Sequence, residues 1–307
     1  MRIAHLSDLH LLDLEGAVPS RLFNKRFTGY LNLRFHRKSV HKAHAVQAAA
    51  RALQQLAVDH IVITGDVSNL ALEREFALVR RFLDEDLGVP PSKVSIIPGN
   101  HDTYTGGSHR SRRFATSFAP FLGSDLPELT MPGEVFPFVH LRGPAAVIGL
   151  STALPRLPLV ASGTLGRVQL GCLERILAHP EVKARTPVIL QHHPIHNPPS
   201  FARRTLEGLS DAAAEIALLR EVSRGLLLHG HLHTRVHRVL TTDRGHIDAV
   251  GATSASLLHE SDERRAGFNL YEISDDGAIH TIESHALDAE ARGFREVRVP
   301  RLDSPRH

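Results

Sequence analysis

The chain has 307 residues, of which 42% are hydrophobic and 22% charged, a balance typical of a globular protein rather than a disordered or fibrous one. A single cysteine, Cys172, excludes an internal disulfide and a thiolate-rich metal site, and suits a reducing compartment. The formal net charge of +3 is too small to indicate nucleic-acid binding, and the absence of tryptophan leaves little for stacking bases.

Short apolar strands alternate with helical patterns over most of the chain. Helices are predicted over 40–57, 71–87, 167–178 and 211–222. Their alternation with strands predicts βαβ units and a largely parallel sheet. The strands are predicted near 2–7, 60–64, 94–97, 145–150, 187–191 and 226–229.

The C-terminal part has a different pattern. Its predicted strands are separated by turns such as DRG and SDDG, which indicates an antiparallel meander. We therefore expect one domain on two sheets over 1–284, with a basic amphipathic insertion at about 19–39 and a polar, loosely held tail at 285–307. The strands of the meander are predicted at 236–241, 245–250, 268–273 and 278–283.

Five polar clusters follow the predicted strands. Each cluster alone is typical of a turn, a helix cap or a strand end. In an open α/β sheet, however, ligands gather beyond the carboxyl ends of the strands, and all five clusters would meet there. They offer carboxylate, amide and imidazole donors in a number that suits two neighbouring divalent ions better than one tetrahedral ion. The clusters are Asp8 and His10 in AHLSDLHLLD, Gly65 and Asp66 in TGDVSN, Asn100, His101 and Asp102 in PGNHDTY, His192 and His193 in QHHPIHNPP, and His231 and His233 in HGHLHT.

In this order the segments DLH, GD, GNHD, HH and GHLH resemble the signature segments of the calcineurin-like metallophosphoesterase superfamily, from residue 4 to about residue 235. The resemblance implies an α/β fold, a four-layer αββα sandwich with two mixed sheets flanked by helices. Adjacent strand side chains point to opposite faces, so only one of His192 and His193 is a ligand, and the family pattern favours His192. By the same resemblance, the first ion would be held by Asp8, His10, Asp66 and His233, and the second by Asp66, Asn100, His192 and His231, with Asp66 bridging them.

The resemblance also implies a reaction. Two divalent ions, whether Mn, Fe, Zn, Co or Ni, would lower the pKa of bound water from ~15.7 to roughly 7 and deliver hydroxide to phosphorus. His101 would face the substrate without binding a metal and protonate the leaving oxygen or hydrogen-bond the phosphoryl group. Asp102 either orients His101 or serves as a turn or cap residue. The GNHD and HHP segments are most similar to those of cyclic nucleotide and glycerophosphodiester phosphodiesterases, which predicts a phosphodiester substrate.

Basic residues outside the five clusters bear on the substrate. Segment 19–39, PSRLFNKRFTGYLNLRFHRKS, interleaves basic with apolar residues and has no acidic one. It is either an insertion packed on the body or an amphipathic lid that contacts anionic lipid. Arginines in the loops at 109–113, at Arg203 and Arg204, and at Arg235 would grip a second phosphate. We expect Asn100, Arg203 and Arg204 to contact the substrate.

Two further functions compete with phosphodiester hydrolysis. One is a phosphatase or pyrophosphohydrolase acting on a lipid-linked phosphate at a membrane, as segment 19–39 suggests. The other is a non-catalytic scaffold that retains the fold, which predicts missing ligands, whereas this sequence has the whole set. No apolar run approaches the ~20 residues that cross a bilayer and no secretory signal precedes the first strand, so we expect a cytoplasmic protein with at most peripheral membrane contact.

Overall fold

A computed structural model describes residues 1–13, 41–103, 106–157, 159–288, 290 and 293–302. Segment 19–39 lies outside the described residues, and its role stays a prediction. In the described ranges, no helix is both long enough and apolar enough to cross a membrane.

The secondary structure follows the predicted alternation. The helices are α1 (Ala43–Gln55), α2 (Glu73–Arg81, continued by a π-helical turn at Phe82–Leu87), α3 (Gly106–Arg110), α4 (Arg113–Ser117), α5 (Arg167–Ala178), α6 (Pro180–Lys183), α7 (Phe201–Glu207) and α8 (Ala212–Leu219). The strands are β1 (Arg2–Leu6), β2 (His60–Ile63), β3 (Val94–Ile96), β4 (Phe138–Arg142), β5 (Ala145–Gly149), β6 (Thr186–Leu190), β7 (Arg224–His229), β8 (Val236–Thr241), β9 (His246–Gly251), β10 (Gly267–Ile273), β11 (Ile279–Leu287), β12 (Phe294–Val297) and β13 (Arg301–Leu302).

These strands form two mixed sheets. The first has the order β12-β11-β10-β1-β2-β3, and the second has the order β13-β8-β9-β7-β6-β5-β4. Pairing is parallel along β1-β2-β3 and along β5-β6-β7-β9, and the remaining pairs are antiparallel except for the parallel edge pair β13-β8. The predicted fold class, two mixed sheets flanked by helices, is confirmed.

The predicted single meander is wrong. The hairpin β8-β9 belongs to the second sheet and the hairpin β10-β11 to the first, because β9 pairs in parallel with β7 while β10 pairs with β1. The chain crosses between the sheets over residues 252–266. Both predicted turns are present, and Gly277 closes the second with a φ of 79°.

The predicted boundary at residue 284 falls inside β11. Beyond it, β12 pairs with β11, and β13 pairs in parallel with β8. The segment predicted as a loose tail therefore adds an edge strand to each sheet, and Phe294 of β12 also packs against the ring of Phe268 in the apolar core.

Apolar side chains alternate between two cores along the central strands. On β6 and β7, Val188 and Leu226 join a cluster that unites the facing sides of the sheets with α1 and α2. Their neighbours Ile189 and Leu227 join a second cluster with α5, α6 and α8. Since successive strand residues point to opposite faces, a strand covered on both sides is apolar throughout. Both sheets are thereby held rigidly beneath the loops that carry the polar clusters.

Candidate metal centre

Five loops meet where β1, β2, β3, β6 and β7 end. Within the first sheet, the amide nitrogens of Asp8 and His10 donate to the carbonyl oxygens of Gly65 and Asp66 over 2.9 and 3.0 Å. Between the sheets, the amide nitrogen of His231 donates to Oδ2 of Asp8 over 3.2 Å. The five clusters predicted from the sequence therefore come together at one site.

The backbone at this site has an unusual conformation. Asp8, His10, Asp66, His231 and His233 all have φ between 45° and 70°. Residues other than glycine rarely adopt this left-handed region, and each costs on the order of 1–3 kcal/mol. Such conformations persist where surrounding contacts over-determine them, and they turn all five side chains toward a common centre.

Two glycines allow the loops to approach one another. A Cβ on Gly99 would collide with the carboxylate of Asp66, and a Cβ on Gly230 would collide with Oδ2 of Asp8 and Oγ of Ser7. Neighbouring side chains therefore occupy the space that a Cβ at either position would need, and only glycine fits there.

Asp8, His10 and His233 form the first group of donor atoms. Nε2 of His10 lies 3.1 Å from Nε2 of His233, and Oδ1 of Asp8 lies 3.0 Å from Nε2 of His233 and 3.9 Å from Nε2 of His10. Oδ1 of Asp8 is buried and accepts no hydrogen bond from the described residues. A cation among these three atoms would satisfy the carboxylate oxygen and both imidazole lone pairs.

Asp66, Asn100, His192 and His231 form the second group. Nδ1 of His192 donates to the carbonyl oxygen of Thr64 over 2.7 Å, which leaves the lone pair of a neutral ring on Nε2. This Nε2 faces two acceptors, Oδ2 of Asp66 at 3.3 Å and Oδ1 of Asn100 at 3.2 Å. Three acceptors directed at one another call for a cation between them.

His231 repeats this arrangement. Its Nε2 donates to the carbonyl oxygen of Glu207 over 3.1 Å, and its Nδ1 lies 3.1 Å from Oδ1 of Asn100. The carbonyl fixes the tautomer, as it commonly does for metal-binding histidines. The donor sets of both groups thus fit the divalent ions that mixed nitrogen and oxygen ligands bind.

The protonation states also fit a metal site. Burial raises the pKa of Asp66, but the charges of His192 and His101 outweigh it and hold this pKa well below its usual range. Burial and the charge of His192 lower the pKa of His231 to about 3. Burial lowers the pKa of His192, whereas the nearby carboxylate of Asp66 raises it, with a net result of about 9. An ionised Asp66 and a neutral His231 are the forms that metals bind, and a proton on His192 marks where a cation is favoured.

His101 lies beside this centre. Its ring centroid is 5.2 Å from that of His10, and Nδ1 donates to the main-chain oxygen of Asn69 over 2.8 Å. The side-chain amide of Asn69 in turn donates to the carbonyl oxygen of His10 over 2.8 Å. Asn69, which the sequence analysis did not single out, therefore links the ring of His101 to a candidate ligand loop.

Asp102 has a different position from the one predicted for a partner of His101. Its Oδ1 accepts from the amide and hydroxyl of Ser68, and its Oδ2 accepts from the amides of Val67 and Gly99. Four hydrogen bonds occupy both oxygens, so the carboxylate joins the loops after β2 and β3. The turn or cap role, not the orienting role, agrees with these contacts.

His193 and His41 are two further histidines near the centre. Both ring nitrogens of His193 have protein partners, the hydroxyl of Thr152 at 2.8 Å and the carbonyl oxygen of Ala161 at 2.7 Å, whereas Nε2 of His192 faces the candidate ligands. The ring of His41 lies 4.9 Å from that of His10. No predicted strand precedes His41, so the pattern that identified the other clusters could not find it.

The predicted substrate arginines divide into two kinds. Arg203 on α7 is exposed, pairs with Glu207 at 3.1 Å and lines a cavity of about 770 Å³ that reaches His231. Arg204 lies over the ring of Phe201, with its guanidinium carbon 5.6 Å from the ring centroid. Arg235 is buried and donates to main-chain and hydroxyl oxygens, so the prediction that it grips a phosphate is wrong.

In solved structures, the chain is similar to a dimetal phosphatase from Danio rerio, with 15% identity, a TM-score of 0.56, and coverage of 97% of this chain and 98% of that one. It is also similar to the purple acid phosphatase PPD1 from yellow lupin (Lupinus luteus) seeds, with 11% identity, a TM-score of 0.56, and coverage of 98% of this chain and 54% of that one. No curated protein matches the sequence. At these identities the structural likeness concerns the fold alone.

A family model provides the stronger comparison. The model of calcineurin-like phosphoesterases matches residues 1–235, a range that includes all five polar clusters. The chain therefore belongs to the calcineurin-like phosphoesterase family, whose members are metal-dependent hydrolases of phosphate esters.

Proposed function

We propose that the protein hydrolyses a phosphodiester at a dinuclear centre. Two divalent cations there would supply a Lewis acid for the phosphoryl oxygens and a nucleophilic water of lowered pKa. The proposed ligands are Asp8, His10, Asp66, Asn100, His192, His231 and His233.

The observation that supports the choice of a diester is a pair of cavities, one lined by the candidate ligand His231 and the other by Asp102 and Thr103, which follow Asn100 and His101 in the same loop. The cavity of about 770 Å³ reaches His231 and is lined by Arg203 and Glu207 from α7 and by Arg238 and Arg264 from the second sheet and its following loop. Guanidinium groups at such a wall favour a polar or anionic substituent.

The other cavity, of about 500 Å³, adjoins the loop after β3 through Asp102 and Thr103. Its wall is mostly apolar and includes Phe114, Phe136 and Leu154. An apolar concave wall with a few polar groups is typical of a small-molecule site. A diester places one substituent on each side of its phosphorus, so a polar and an apolar substituent would each have a cavity.

His101 would be the general acid in this reaction. With Nδ1 bonded to Asn69, Nε2 is the ring atom that would deliver a proton to the leaving oxygen as its bond to phosphorus breaks. The electrophile and the proton donor would then act on the two ends of the same breaking bond.

A substrate panel tests the proposal. Protein reconstituted with Mn²⁺ is assayed with bis-p-nitrophenyl phosphate, p-nitrophenyl phosphate, cyclic AMP and phosphatidic acid in vesicles. We expect kcat/KM to be at least tenfold higher for a diester than for p-nitrophenyl phosphate. A monoester hydrolysed faster than both diesters would contradict the proposal.

Paired variants test the polar cavity. Arg203→Gln should raise KM for the preferred diester, because Arg203 lines the wall that we assign to the polar substituent. Arg220→Gln is the matched control, since Arg220 is a similarly exposed arginine in an ion pair with Asp243 and does not line this cavity. An equal KM in the two variants would remove Arg203 from the substrate site.

Exposed apolar side chains favour a second candidate, an amphiphilic phosphate ester at a membrane surface. Leu157 and Leu159 are 76% and 88% exposed, and Phe201 on α7 is 74% exposed. The amide of Ala161 donates to the carbonyl oxygen of Leu206, which connects the two segments beside the candidate centre. Flotation with anionic vesicles, compared between the wild type and Leu159→Ser with Phe201→Ser, tests this candidate, which predicts that the substitutions abolish flotation.

A further inference from the structure

A row of buried polar side chains connects Arg235, which directly precedes β8, with the candidate ligand Asp8. It runs through β1, β10 and β11 of the first sheet and the loops after β2 and β7. Each of its members is at most 1% exposed to solvent. In order, the row consists of Arg235, Ser284, Asn269, Tyr271, His5, Thr64, Ser7 and Asp8.

The first half of the row begins at a cation. Nε of Arg235 donates to Oγ of Ser284 over 2.6 Å. The hydroxyl of Ser284 donates to Oδ1 of Asn269 over 2.7 Å, and Nδ2 of Asn269 donates to the hydroxyl oxygen of Tyr271 over 3.2 Å. The hydroxyl of Tyr271 lies 3.0 Å from Nδ1 of His5.

The second half ends at a carboxylate. Nε2 of His5 lies 2.8 Å from Oγ1 of Thr64. The hydroxyl of Thr64 donates to Oγ of Ser7 over 2.8 Å, and the hydroxyl of Ser7 donates to Oδ2 of Asp8 over 2.6 Å.

The two ends determine the direction of every bond. A guanidinium can only donate and an ionised carboxylate can only accept, so each hydroxyl receives a hydrogen bond from the Arg235 side and gives one toward Asp8. His5, in the middle, must then accept at Nδ1 from Tyr271 and donate at Nε2 to Thr64. Burial and the charge of His229 lower the pKa of His5 to about 3, which keeps the ring neutral and able to do both.

We propose that this one-directional chain makes His5 and Tyr271 positioning residues for Asp8, an inference that rests on the proposed role of Asp8 as a metal ligand. The hydroxyl of Ser7 and the amide of His231 both hold Oδ2, which leaves Oδ1 directed at His10 and His233. Aligned hydrogen bonds polarise one another, so loss of the bond at Tyr271 would weaken the hydrogen bond that Ser7 donates to Asp8. Nothing in the sequence around His5 indicates this connection.

Metal affinity tests the proposal, and this measurement does not depend on which ester the protein hydrolyses. Tyr271→Phe removes one hydroxyl and keeps the ring, and Thr64→Val removes another at nearly constant volume. Loss of outer partners of a metal ligand typically lowers metal affinity 10–100-fold. We expect each variant to bind Mn²⁺ at least tenfold more weakly at one of two sites, measured by competition with a chromophoric chelator.

Ser95→Ala is the matched control. Oγ of Ser95 also lies in a buried chain, 2.7 Å from Nε2 of His60 and 2.7 Å from Nδ1 of His140, and that chain ends on the carbonyl oxygen of Gly123 rather than on a candidate ligand. Its Mn²⁺ affinities should stay within twofold of the wild type. Equal losses in Ser95→Ala and Tyr271→Phe, or wild-type affinity in both Tyr271→Phe and Thr64→Val, would overturn the proposal.

Nitrogen-15 NMR of the metal-free protein gives a second readout that needs no substitution in the chain to fold. The His5 signal, assigned through its connectivity to the labelled backbone, should show the tautomer protonated at Nε2. A ring protonated at Nδ1 would reverse the bond to Tyr271 and overturn the proposal, whatever the affinities.

Discussion

Nδ1 of His101 donates to the main-chain oxygen of Asn69 over 2.8 Å, and the side chain of the same Asn69 holds the carbonyl oxygen of His10. Asn69 thus orients the ring of the proposed general acid and also holds the main chain of the loop that carries the proposed ligand His10. Because the contact fixes the proton on Nδ1, only Nε2 is suited to exchange a proton with the substrate.

His101→Asn should retain metal and lose turnover. The imidazole contributes no atom to either group of donors, so we expect the metal content of wild-type protein. Loss of a general acid typically lowers turnover 10²–10⁴-fold. Metal analysis and kcat with the preferred ester measure both quantities on one sample.

The leaving group provides the control for this prediction. An ester of p-nitrophenol needs little protonation as it leaves, so His101→Asn should affect it less than an ester of an alkyl alcohol. Equal losses on both substrates would assign His101 to phosphoryl binding instead of proton transfer.

Asp102→Asn should reduce stability more than catalysis. The carboxylate accepts four hydrogen bonds from Val67, Ser68 and Gly99, and an amide cannot accept them all. A buried donor left without an acceptor costs about 1–3 kcal/mol, so we expect a loss of that size in the free energy of unfolding. Urea denaturation measures it, and turnover per bound metal should remain within tenfold of the wild type. A 10²-fold loss of turnover at unchanged stability would restore the orienting role.

The polar clusters could be predicted from the sequence, but the residues that orient their side chains could not. Asp8, Asp66 and His231 lie two or three residues after apolar strands, so the strand ends of the two packed sheets bring them together. Asn69 contacts His101 through its main-chain oxygen, which every residue has. The identity of residue 69 therefore does not predict this contact. The role of Asp102 depended on which loop its carboxylate faces, and spacing along the chain does not decide that.

For the sheets, too, the sequence predicted one part of the structure and not another: the strands could be predicted, but their partners could not. Alternating apolar residues predicted the strands at 236–241 and 268–273 nearly as they occur. Alternation does not specify a partner strand, so it could not separate the hairpin of the second sheet from that of the first. The edge strands β12 and β13 are mostly exposed and polar, and their pairing was not visible in the sequence.

Removal of metal should lower the thermal stability. The carboxylates of Asp8 and Asp66 are buried close enough to raise one another's free energy, and bound cations would relieve this repulsion. A ligand at 100 times its Kd stabilises the folded state by about 2.7 kcal/mol per site. We expect calorimetry to show a lower Tm after EDTA treatment and recovery after dialysis into Mn²⁺.

Two carboxylate variants separate this effect from general charge effects. Asp8→Asn should remove most of the Mn²⁺-dependent rise in Tm, because it deletes a proposed ligand. Asp125→Asn should keep the rise, since Asp125 is an exposed carboxylate paired with Arg142 at 2.7 Å. A full Mn²⁺ response in Asp8→Asn would contradict the proposed ligand set.

Glu215 should make the protein less stable as the pH rises. This residue of α8 is fully buried, and burial raises the pKa of its carboxyl from 4.5 to about 8. The folded protein therefore binds the proton more tightly than the unfolded chain. Between pH 4.5 and 8 the folded state holds more protons than the unfolded state, so the contribution of Glu215 to the free energy of unfolding falls with rising pH.

Glu215→Gln keeps the shape of the protonated side chain and cannot ionise. Relative to the wild type, the variant should therefore gain stability as the pH rises from 5 to 9, which urea denaturation of metal-free protein at several pH values measures. Glu174→Gln, on the exposed face of α5, should follow the wild-type curve throughout. Parallel curves for the wild type and Glu215→Gln would mean that the buried carboxyl is ionised in the folded protein, and some cationic or donor group would then have to face it.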